Sequence, residues 1–443
     1  MQKNLTSGSI FGNIIYFSLP YLLSYFLQTL YGMADLFIVG QFNGVESITA
    51  VSIGSQVMHM LTVMIVGLAM GATVTIGKAI GARQNNQAAS AVGNTITLFM
   101  GVSIVLTIVL LLFVKPIVMV MSTPEEAVQG TVRYLMICFL GIPFITAYNM
   151  ISSIFRGLGD SKSPMYFIAV ACGANIILDY LFIGVFAFGA AGAALGTTLA
   201  QTFSVIVAVM VIRKKDIGLP LKRKHFKPQS ETMAQILKIG IPVALQDGFI
   251  QIAFIVITVI ANRRGLNDAA AVGIVEKMIG VVFLVPSTML STVSALSAQN
   301  IGAGKYNRAE LTLKYAVFIA AGFGLVVSVV IQFVSQPAVG IFTDDIEVIL
   351  LGSQYLRGYI WDCMFAGVHF CFSGFFCAYG MSGISFLHNS LSIILVRIPG
   401  AYLASKYFTD TLYPMGIAAP GGSLLSVMIC VLAFVWLKRN HRA

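Results

Sequence analysis

Two aspartates lie inside long apolar stretches of this chain, where an ionised group is costly. Asp35 follows Pro20 in the stretch PYLLSYFLQTLYGMADLFIVG, and Asp179 lies in ANIILDYLFIG. A charged side chain at the centre of a bilayer costs from about 2.5 kcal/mol on insertion scales to roughly 10 kcal/mol in simulations, so such residues usually face a water-filled cavity or a partner. Asp35 and Asp179 are therefore candidate functional residues.

Polar side chains accompany these two acids. Asn175 precedes Asp179 by one helical turn, and a rise of about 1.5 Å per residue puts Thr197 at the same depth as both aspartates. A buried pair of carboxyl groups can bind and release a proton near neutral pH. Na⁺ would instead use the oxygen ligands of Asp179, Asn175 and Thr197. The sequence predicts an ion site for H⁺ or Na⁺, with a neutral cluster that fixes helix packing as the alternative.

The first apolar stretch has the features of a moving part. Pro20 cannot donate a backbone hydrogen bond and its ring clashes with the preceding turn, which predicts a kink. Gln28 and Tyr31 lie near the same face as Asp35, at steps of three and four residues. We expect Gln28 and Tyr31 to line a cavity. The alternative is a proline that only packs and an aspartate capped by a neighbouring hydroxyl.

The composition is that of a membrane protein. Of 443 residues 58% are hydrophobic and only 10% are charged, whereas soluble domains carry about 25% charged residues. The net charge of +10 is concentrated between apolar segments, which is typical of membrane orientation and does not indicate nucleic-acid binding. Six cysteines without CxxC spacing, and the absence of a clustered His motif, predict neither a disulfide framework nor a metal cofactor.

Twelve apolar runs are long enough to span a bilayer. They lie near 12–40, 46–74, 91–114, 128–156, 163–186, 190–212, 233–261, 269–298, 312–334, 347–378, 385–408 and 414–437. Alternate connections hold most of the basic residues: Lys78 and Arg83; Arg156 and Lys162; Arg213, Lys214, Lys215, Lys222, Arg223, Lys224 and Lys227; Lys305 and Arg308; Lys438, Arg439 and Arg442. Both termini are therefore predicted in the cytoplasm, with Arg263 and Arg264 as the main exception to the pattern.

The chain repeats itself about its middle. Ile80-Gly81-Ala82 recurs as Ile301-Gly302-Ala303 at a shift of 221 residues, and Pro20 meets Pro242 if one residue is inserted. We predict an amino-terminal six-helix lobe at 1–212, a basic cytoplasmic linker at 213–232 and a carboxy-terminal six-helix lobe at 233–443. Two such lobes in the same orientation are the architecture of secondary transporters.

The second half carries charges of both signs within its apolar runs: Asp247, Glu276, Arg357, Asp362 and Arg397. Acids and bases together predict internal ion pairs, such as Arg397 with Asp362 or Glu276. Gln251 and Asp362 are the residues for which we predict substrate contact in this half.

Three motifs have simpler explanations. Gly157 to Asp160 has the GxGD form of intramembrane proteases, but the flanking Arg156 and Lys162 favour a cytoplasmic turn. GATVTIGK at 71–78 has one residue too many between its glycines for a phosphate loop, and Ala79 follows where Ser or Thr is needed. The runs GAAGAALGTT and MGIAAPGGS are interpreted as surfaces for close helix packing.

As a set, these features resemble the multidrug and toxic compound extrusion family, MATE, and its DinF-type branch most of all. The resemblance covers nearly the whole chain and is carried by Pro20, Gln28 and Asp35 together with IGARQNNQA, FRGLGDSKSP, NIILDY and PSTMLSTVSALSAQNIGAGKYNRAE. It implies an all-α membrane fold of two six-helix bundles, a helix that kinks at Pro20, and a coupling site at Asp35, Asn175, Asp179 and Thr197. The NorM-type branch carries a glutamate near the position of Gln251.

The resemblance implies a prokaryotic inner-membrane antiporter without cofactors, and not an enzyme. We expect export of amphipathic, cationic organic compounds in exchange for H⁺ or Na⁺, by a monomer surrounded by lipid. The alternatives are a flippase for lipid-linked oligosaccharides, an intramembrane protease that uses Asp160 with Asp179, and a sensor or scaffold without transport.

Overall fold

A computed structural model describes residues 4–214 and 218–440 of the chain. Within these ranges the backbone is helical and contains no β-strand. Helices are expected because a lipid-embedded backbone must satisfy its polar groups within its own segment. Eleven helices in the described ranges are long and apolar enough to cross a membrane, or up to twelve if one bent pair forms a single span. The predicted all-α polytopic fold is confirmed.

The chain divides into two compact units, and the first comprises the described part of Met1–Leu5 together with Tyr16–Gly240. Its helices are α1 (Ile10–Phe42), α2 (Val45–Gly81), α3 (Asn85–Leu112), α4 (Val114–Val120), α5 (Glu125–Leu140), α6 (Ile142–Gly157), α7 (Lys162–Asp179), α8 (Gly189–Lys214) and α9 (Ser230–Asn262). The first residues of α1 and the last residues of α9 belong to the second unit. The bent pair is α5 and α6, which meet at 48°. Gly141 separates them and Pro143 follows in the first turn of α6, so the fourth predicted run is a broken helix.

The second unit comprises Thr6–Ile15 and the described part of Ile241–Ala443. After α9 its helices are α10 (Leu266–Val282), α11 (Leu284–Gly302), α12 (Tyr306–Gly340), α13 (Ile346–Tyr359), α14 (Asp362–Tyr379), α15 (Ser382–Ser392), α16 (Ile398–Tyr407) and α17 (Tyr413–Asn440). A π-helical turn over Ile393–Arg397 joins α15 to α16. All six cysteines of the chain are buried and unpaired.

The described part of the basic connection from Gly218 onward packs against helix α3 of the first unit. Asn94 Nδ2 donates to the His225 carbonyl at 3.3 Å, and Thr97 Oγ1 donates to the Phe226 carbonyl at 2.8 Å. Gly93 permits this approach, since a Cβ there would lie 2.2 Å from the His225 carbonyl oxygen. Lys215 and Arg442, two of the basic residues counted above, lie outside the described residues, and the lobe and linker boundaries stay a prediction.

Candidate functional site

Four residues predicted to bind an ion lie together in the first unit. Helix α1 contributes Asp35, α7 contributes Asn175 and Asp179, and α8 contributes Thr197. Thr197 Oγ1 donates to Asp35 Oδ2 at 3.0 Å. Asn175 Nδ2 donates to Asp179 Oδ2 at 3.3 Å, one turn along the same helix. Three helices therefore bring an amide and a hydroxyl onto two acids.

The two acids are buried and face each other. Asp35 is 4% exposed and Asp179 is 0% exposed. Asp179 and Asn175 both lie within hydrogen-bonding range of Asp35. Two carboxyl groups in contact away from water need a proton or a cation between them, because their like charges otherwise repel in a medium of low dielectric constant.

Three oxygen atoms at this site accept no hydrogen bond of normal geometry. They are the Oδ1 atoms of Asp35, Asn175 and Asp179. Carboxylate and amide oxygens are the ligands that hard cations prefer, and a carboxyl oxygen can equally carry a proton. The donor set thus fits Na⁺ as well as H⁺. No group of three or more His, Cys, Asp or Glu side chains within residues 4–214 and 218–440 could hold a metal ion.

Local backbone features place Asp179 against α8. Immediately after Asp179 the helix widens into a π-helical turn over Tyr180–Val185, a deviation that occurs frequently at functional sites. On α8, a Cβ added at Gly196 would lie 2.0 Å from Asp179 Oδ1. A Cβ at Gly192 would lie 3.1 Å from the Phe182 carbonyl oxygen. The interpretation of this glycine-alanine run as a close-packing surface agrees with these contacts.

We expect Gly196→Ala to displace the Asp179 carboxyl group and weaken the binding of an ion at this site. An added methyl group in a filled site costs about 1–3 kcal/mol, and each 1.4 kcal/mol lost from ion binding is a tenfold loss in affinity. The measurement is initial-rate efflux of a fluorescent cation at several ion concentrations, in which the half-saturating concentration should rise. Gly173→Ala on α7 is the matched control, because a Cβ there meets no atom within 4 Å. Equal efflux by the two variants would show that Asp179 does not depend on this close approach.

The two residues of α1 that were predicted to line a cavity, Gln28 and Tyr31, differ in their hydrogen bonds. Tyr31 accepts a hydrogen bond from Gln201 Nε2 at 3.4 Å, whereas no hydrogen bond joins Gln28 to the site among the described residues. Gln201 was missed in the sequence, although it lies one turn beyond Thr197 on the same face of α8. Helix α1 continues through Pro20, whose carbonyl accepts a hydrogen bond from Ser24 Oγ at 2.9 Å.

Charges in the second unit form the predicted internal pairs in part. Arg397 Nη2 lies 3.6 Å from Asp362 Oδ2, and both residues are buried. Glu276 accepts a hydrogen bond from Thr258 Oγ1 at 3.1 Å. Arg357 instead donates from Nε to Ser335 Oγ at 2.7 Å.

The other predicted residues of the second unit lie on one helix. Gln251 and Asp247 are both half-buried residues of α9. No hydrogen bond among the described residues joins Gln251 to Asp362, the other predicted substrate contact.

The protease hypothesis is wrong on geometry. Asp160 Oδ1 accepts the backbone N–H groups of Lys162 and Ser163 at 2.9 and 3.0 Å, and Asp160 Oδ2 accepts Ser163 Oγ at 2.6 Å. These bonds cap the amino terminus of α7. Asp179 ends the same helix, roughly 28 Å away at 1.5 Å per residue, so the two aspartates cannot act on one peptide bond.

Eleven or twelve candidate spans in the described part of the chain, with a buried pair of acids where three of them meet, are typical of polytopic membrane transporters. The family model MatE matches residues 20–181 and 242–403, so each half of the chain matches it separately. The chain belongs to the MATE family.

Named relatives agree over nearly the full length. The probable multidrug resistance protein YoeA of Bacillus subtilis is 26% identical in an alignment of 449 positions, which covers 99% of this chain and 97% of YoeA. The multidrug export protein MepA of Staphylococcus aureus is 24% identical over 428 residues, covering 96% of this chain and 94% of MepA. A crystal structure of MATE in complex with MaD3S superposes with a TM-score of 0.91 at 22% identity, over 99% of both chains.

These relatives support a multidrug transporter in a membrane, and not an enzyme. The structural match establishes the fold. The DinF-type branch stays a prediction.

Proposed function

We propose that the protein exports amphipathic organic cations from a prokaryotic cell in exchange for H⁺ or Na⁺, by alternating access. The coupling ion would bind at Asp35, Asn175, Asp179 and Thr197. The observation that carries this proposal is that the buried Asp35 and Asp179 lie against two consecutive residues of α8, Thr197 and Gly196. One oxygen of each carboxyl group has no hydrogen bond of normal geometry. Export of drugs is also what the names of the relatives MepA and YoeA describe for those proteins.

Coupling follows if the ion and the substrate stabilise opposite states of one two-state bundle. The hydrogen bond from Thr197 to Asp35 joins α8 to α1. Pro20, which lies nearer the amino terminus of α1, cannot donate a backbone hydrogen bond. Binding an ion between Asp35 and Asp179 draws α1 towards α7 and bends it near Pro20. The bend moves the helix face that carries Gln28 and Tyr31, and this movement expels the cationic substrate.

The substrate sites are inferred separately for the two units. In the first unit the contacts are Gln28 and Tyr31, and in the second they are Gln251 and Asp362. Twenty methionines and an aromatic content of 11% suit substrates of varied shape, because methionine repacks easily. We infer a monomer in the inner membrane, surrounded by lipid, with both termini in the cytoplasm.

The test is ethidium transport by everted membrane vesicles in which a proton gradient and a Na⁺ gradient are imposed separately. We expect transport driven by one of the two gradients and abolished when an ionophore collapses that gradient. This result identifies the coupling ion.

Absence of ethidium movement under either gradient would overturn the proposal for cations. A flippase of lipid-linked oligosaccharides would then become the leading function, and translocation of a labelled lipid-linked sugar would be measured in the same vesicles.

A further inference from the structure

Three charged residues in the second unit form a cluster that is separate from the coupling site. Asp362 on α14 is 0% exposed and Arg397 is 8% exposed. Their closest atoms are 3.6 Å apart, whereas a charge-assisted hydrogen bond measures about 2.7–2.9 Å. Glu276 on α10 accepts a hydrogen bond at 3.1 Å from Thr258, which lies one turn after Phe254 on α9. The cluster therefore holds two acids and one loosely matched base.

Two aromatic rings surround the guanidinium group. The Arg397 Cζ atom lies 5.2 Å from the centroid of the Phe254 ring and 5.5 Å from that of Tyr359. Arg397 also donates a hydrogen bond to the Tyr359 hydroxyl group. A cation within about 6 Å of a ring face is attracted by the ring, and proteins recognise quaternary ammonium ligands in this way. Aromatic faces beside acids are an environment for an organic cation.

The acids of the cluster are incompletely satisfied by Arg397. Ser423 faces Asp362, but neither carboxylate oxygen has a hydrogen-bond partner of normal geometry. Glu276 Oε1 and Arg397 Nε are likewise buried without a hydrogen bond. An unsatisfied buried polar group costs about 1–3 kcal/mol, so a cation with a better fit would be favoured here.

The backbone that carries Arg397 is irregular, and part of the cluster reaches the surface of the unit. Arg397 ends the π-helical turn Ile393–Arg397, and Pro399 removes a backbone donor two residues later. Such turns are frequent at functional sites. Phe254 and Glu276 are half-buried, whereas Asp362 and Arg397 are buried.

We propose that Arg397 is an internal competitor that occupies a binding site for organic cations in the second unit. The site consists of Phe254 and Tyr359 as aromatic faces and of Asp362 and Glu276 as acids. A cationic substrate binds there by displacing the Arg397 guanidinium group. The inference deepens the proposed function, on which it rests for the class of substrate, and it makes Arg397 the residue that limits affinity at this site.

The test is equilibrium binding of ethidium to the purified full-length protein, followed by fluorescence polarisation. If Arg397 leaves the site about one tenth of the time, its removal tightens apparent affinity roughly tenfold, because apparent affinity scales with the competent fraction. We expect that gain in Arg397→Gln and none in Arg397→Lys, which keeps a competing positive charge. Arg357→Gln, which removes an arginine bonded to Ser335 elsewhere in the unit, should bind as wild type does.

A second substitution locates the gain. Adding Asp362→Asn to Arg397→Gln should return the affinity to the wild-type value or below it. Thermal unfolding of each variant checks folding, and Arg397→Met replaces Arg397→Gln if the latter does not fold. Unchanged or weaker binding by the folded variant overturns the inference.

Failure of the inference can be told apart from failure of the proposed function. Binding is measured without a gradient, so tighter binding by Arg397→Gln would support the cation site even if ethidium were never exported. Gradient-driven export by the wild type, with no gain in Arg397→Gln, would leave the antiporter intact and remove the competitor.

Discussion

Replacing Asp35 by Asn is expected to abolish gradient-driven ethidium export. Asparagine has nearly the same size and keeps an oxygen that can accept the Thr197 hydroxyl, so the packing of α1 against α8 is retained. It cannot carry a negative charge or an exchangeable acid proton beside Asp179. Loss of one charged ligand costs about 1.5–3 kcal/mol, which is roughly a 10- to 150-fold loss in ion affinity.

The measurement is efflux under whichever gradient drives the wild type, combined with ethidium binding in detergent. We expect export at the level of vesicles without the protein, while binding stays within about threefold of wild type because the unloaded state still accepts substrate. Wild-type export by Asp35→Asn would place the coupling ion elsewhere in the chain.

Asp160→Asn provides the control for this substitution. It makes the same chemical change in the same unit, but at the cap of α7 and not at the acid pair. Asparagine caps helices about as well as aspartate, so export and stability should match the wild type. A loss of export in Asp160→Asn would mean that Asp→Asn changes in this unit act through general destabilisation.

The common level of Asp35, Asp179 and Thr197 along their helices could be predicted from the sequence, but the lateral arrangement of these side chains could not. Counting residues along apolar runs gives depth because each residue rises about 1.5 Å, and this count placed Asp35, Asp179 and Thr197 at one level. Which side chains touch depends also on rotation about each helix axis. An error of about 5° per residue accumulates to about 100° over 20 residues, enough to turn a side chain away from its neighbour.

The features that the sequence did not predict are irregular or long-range. The π-helical turn after Asp179 adds a residue to one turn, and the pattern of apolar residues does not mark it. From the sequence, Gly196 was interpreted only as part of a close-packing surface. Its contact with Asp179 Oδ1 depends on how α7 packs against α8. The aromatic faces around Arg397 come from α9 and α13, far apart in the chain. Local sequence propensity contains no information about contacts between residues that lie far apart in the chain.

A second large effect is expected at Arg264, which stood out in the sequence as an exception to the charge pattern of the connections. The Arg264 side chain is 7% exposed, and its Nε lies 2.7 Å from Asp268 Oδ2 in the first turn of α10. Its Nη1 donates to the carbonyls of Ser405 and Phe408 at 2.9 and 3.0 Å, and its Nη2 donates to that of Thr409 at 2.8 Å. Arg264 thus joins the start of α10 to the end of α16.

We expect Arg264→Ala to lower the free energy of unfolding of the second unit by about 3 kcal/mol, the low end of the cost of removing one partner of a buried ion pair, because this pair is partly buried. Arg264→Lys should recover only part of this loss, because an ammonium group cannot reach several carbonyls and a carboxylate with the fixed fork of a guanidinium. A thiol-reactive fluorescent dye can follow thermal unfolding, since all six cysteines are buried and become reactive as the protein unfolds.

The neighbouring Arg263 is the matched control. It is exposed, and substitutions at such positions usually change stability by less than about 0.5 kcal/mol. If Arg263→Ala and Arg264→Ala melted at the same temperature, the contacts of Arg264 would contribute nothing to stability and its position would need another explanation. If they differ as expected, Arg264 is retained for the junction of α10 and α16. One of the two exceptions to the charge pattern would then be a structural residue rather than a signal of membrane orientation.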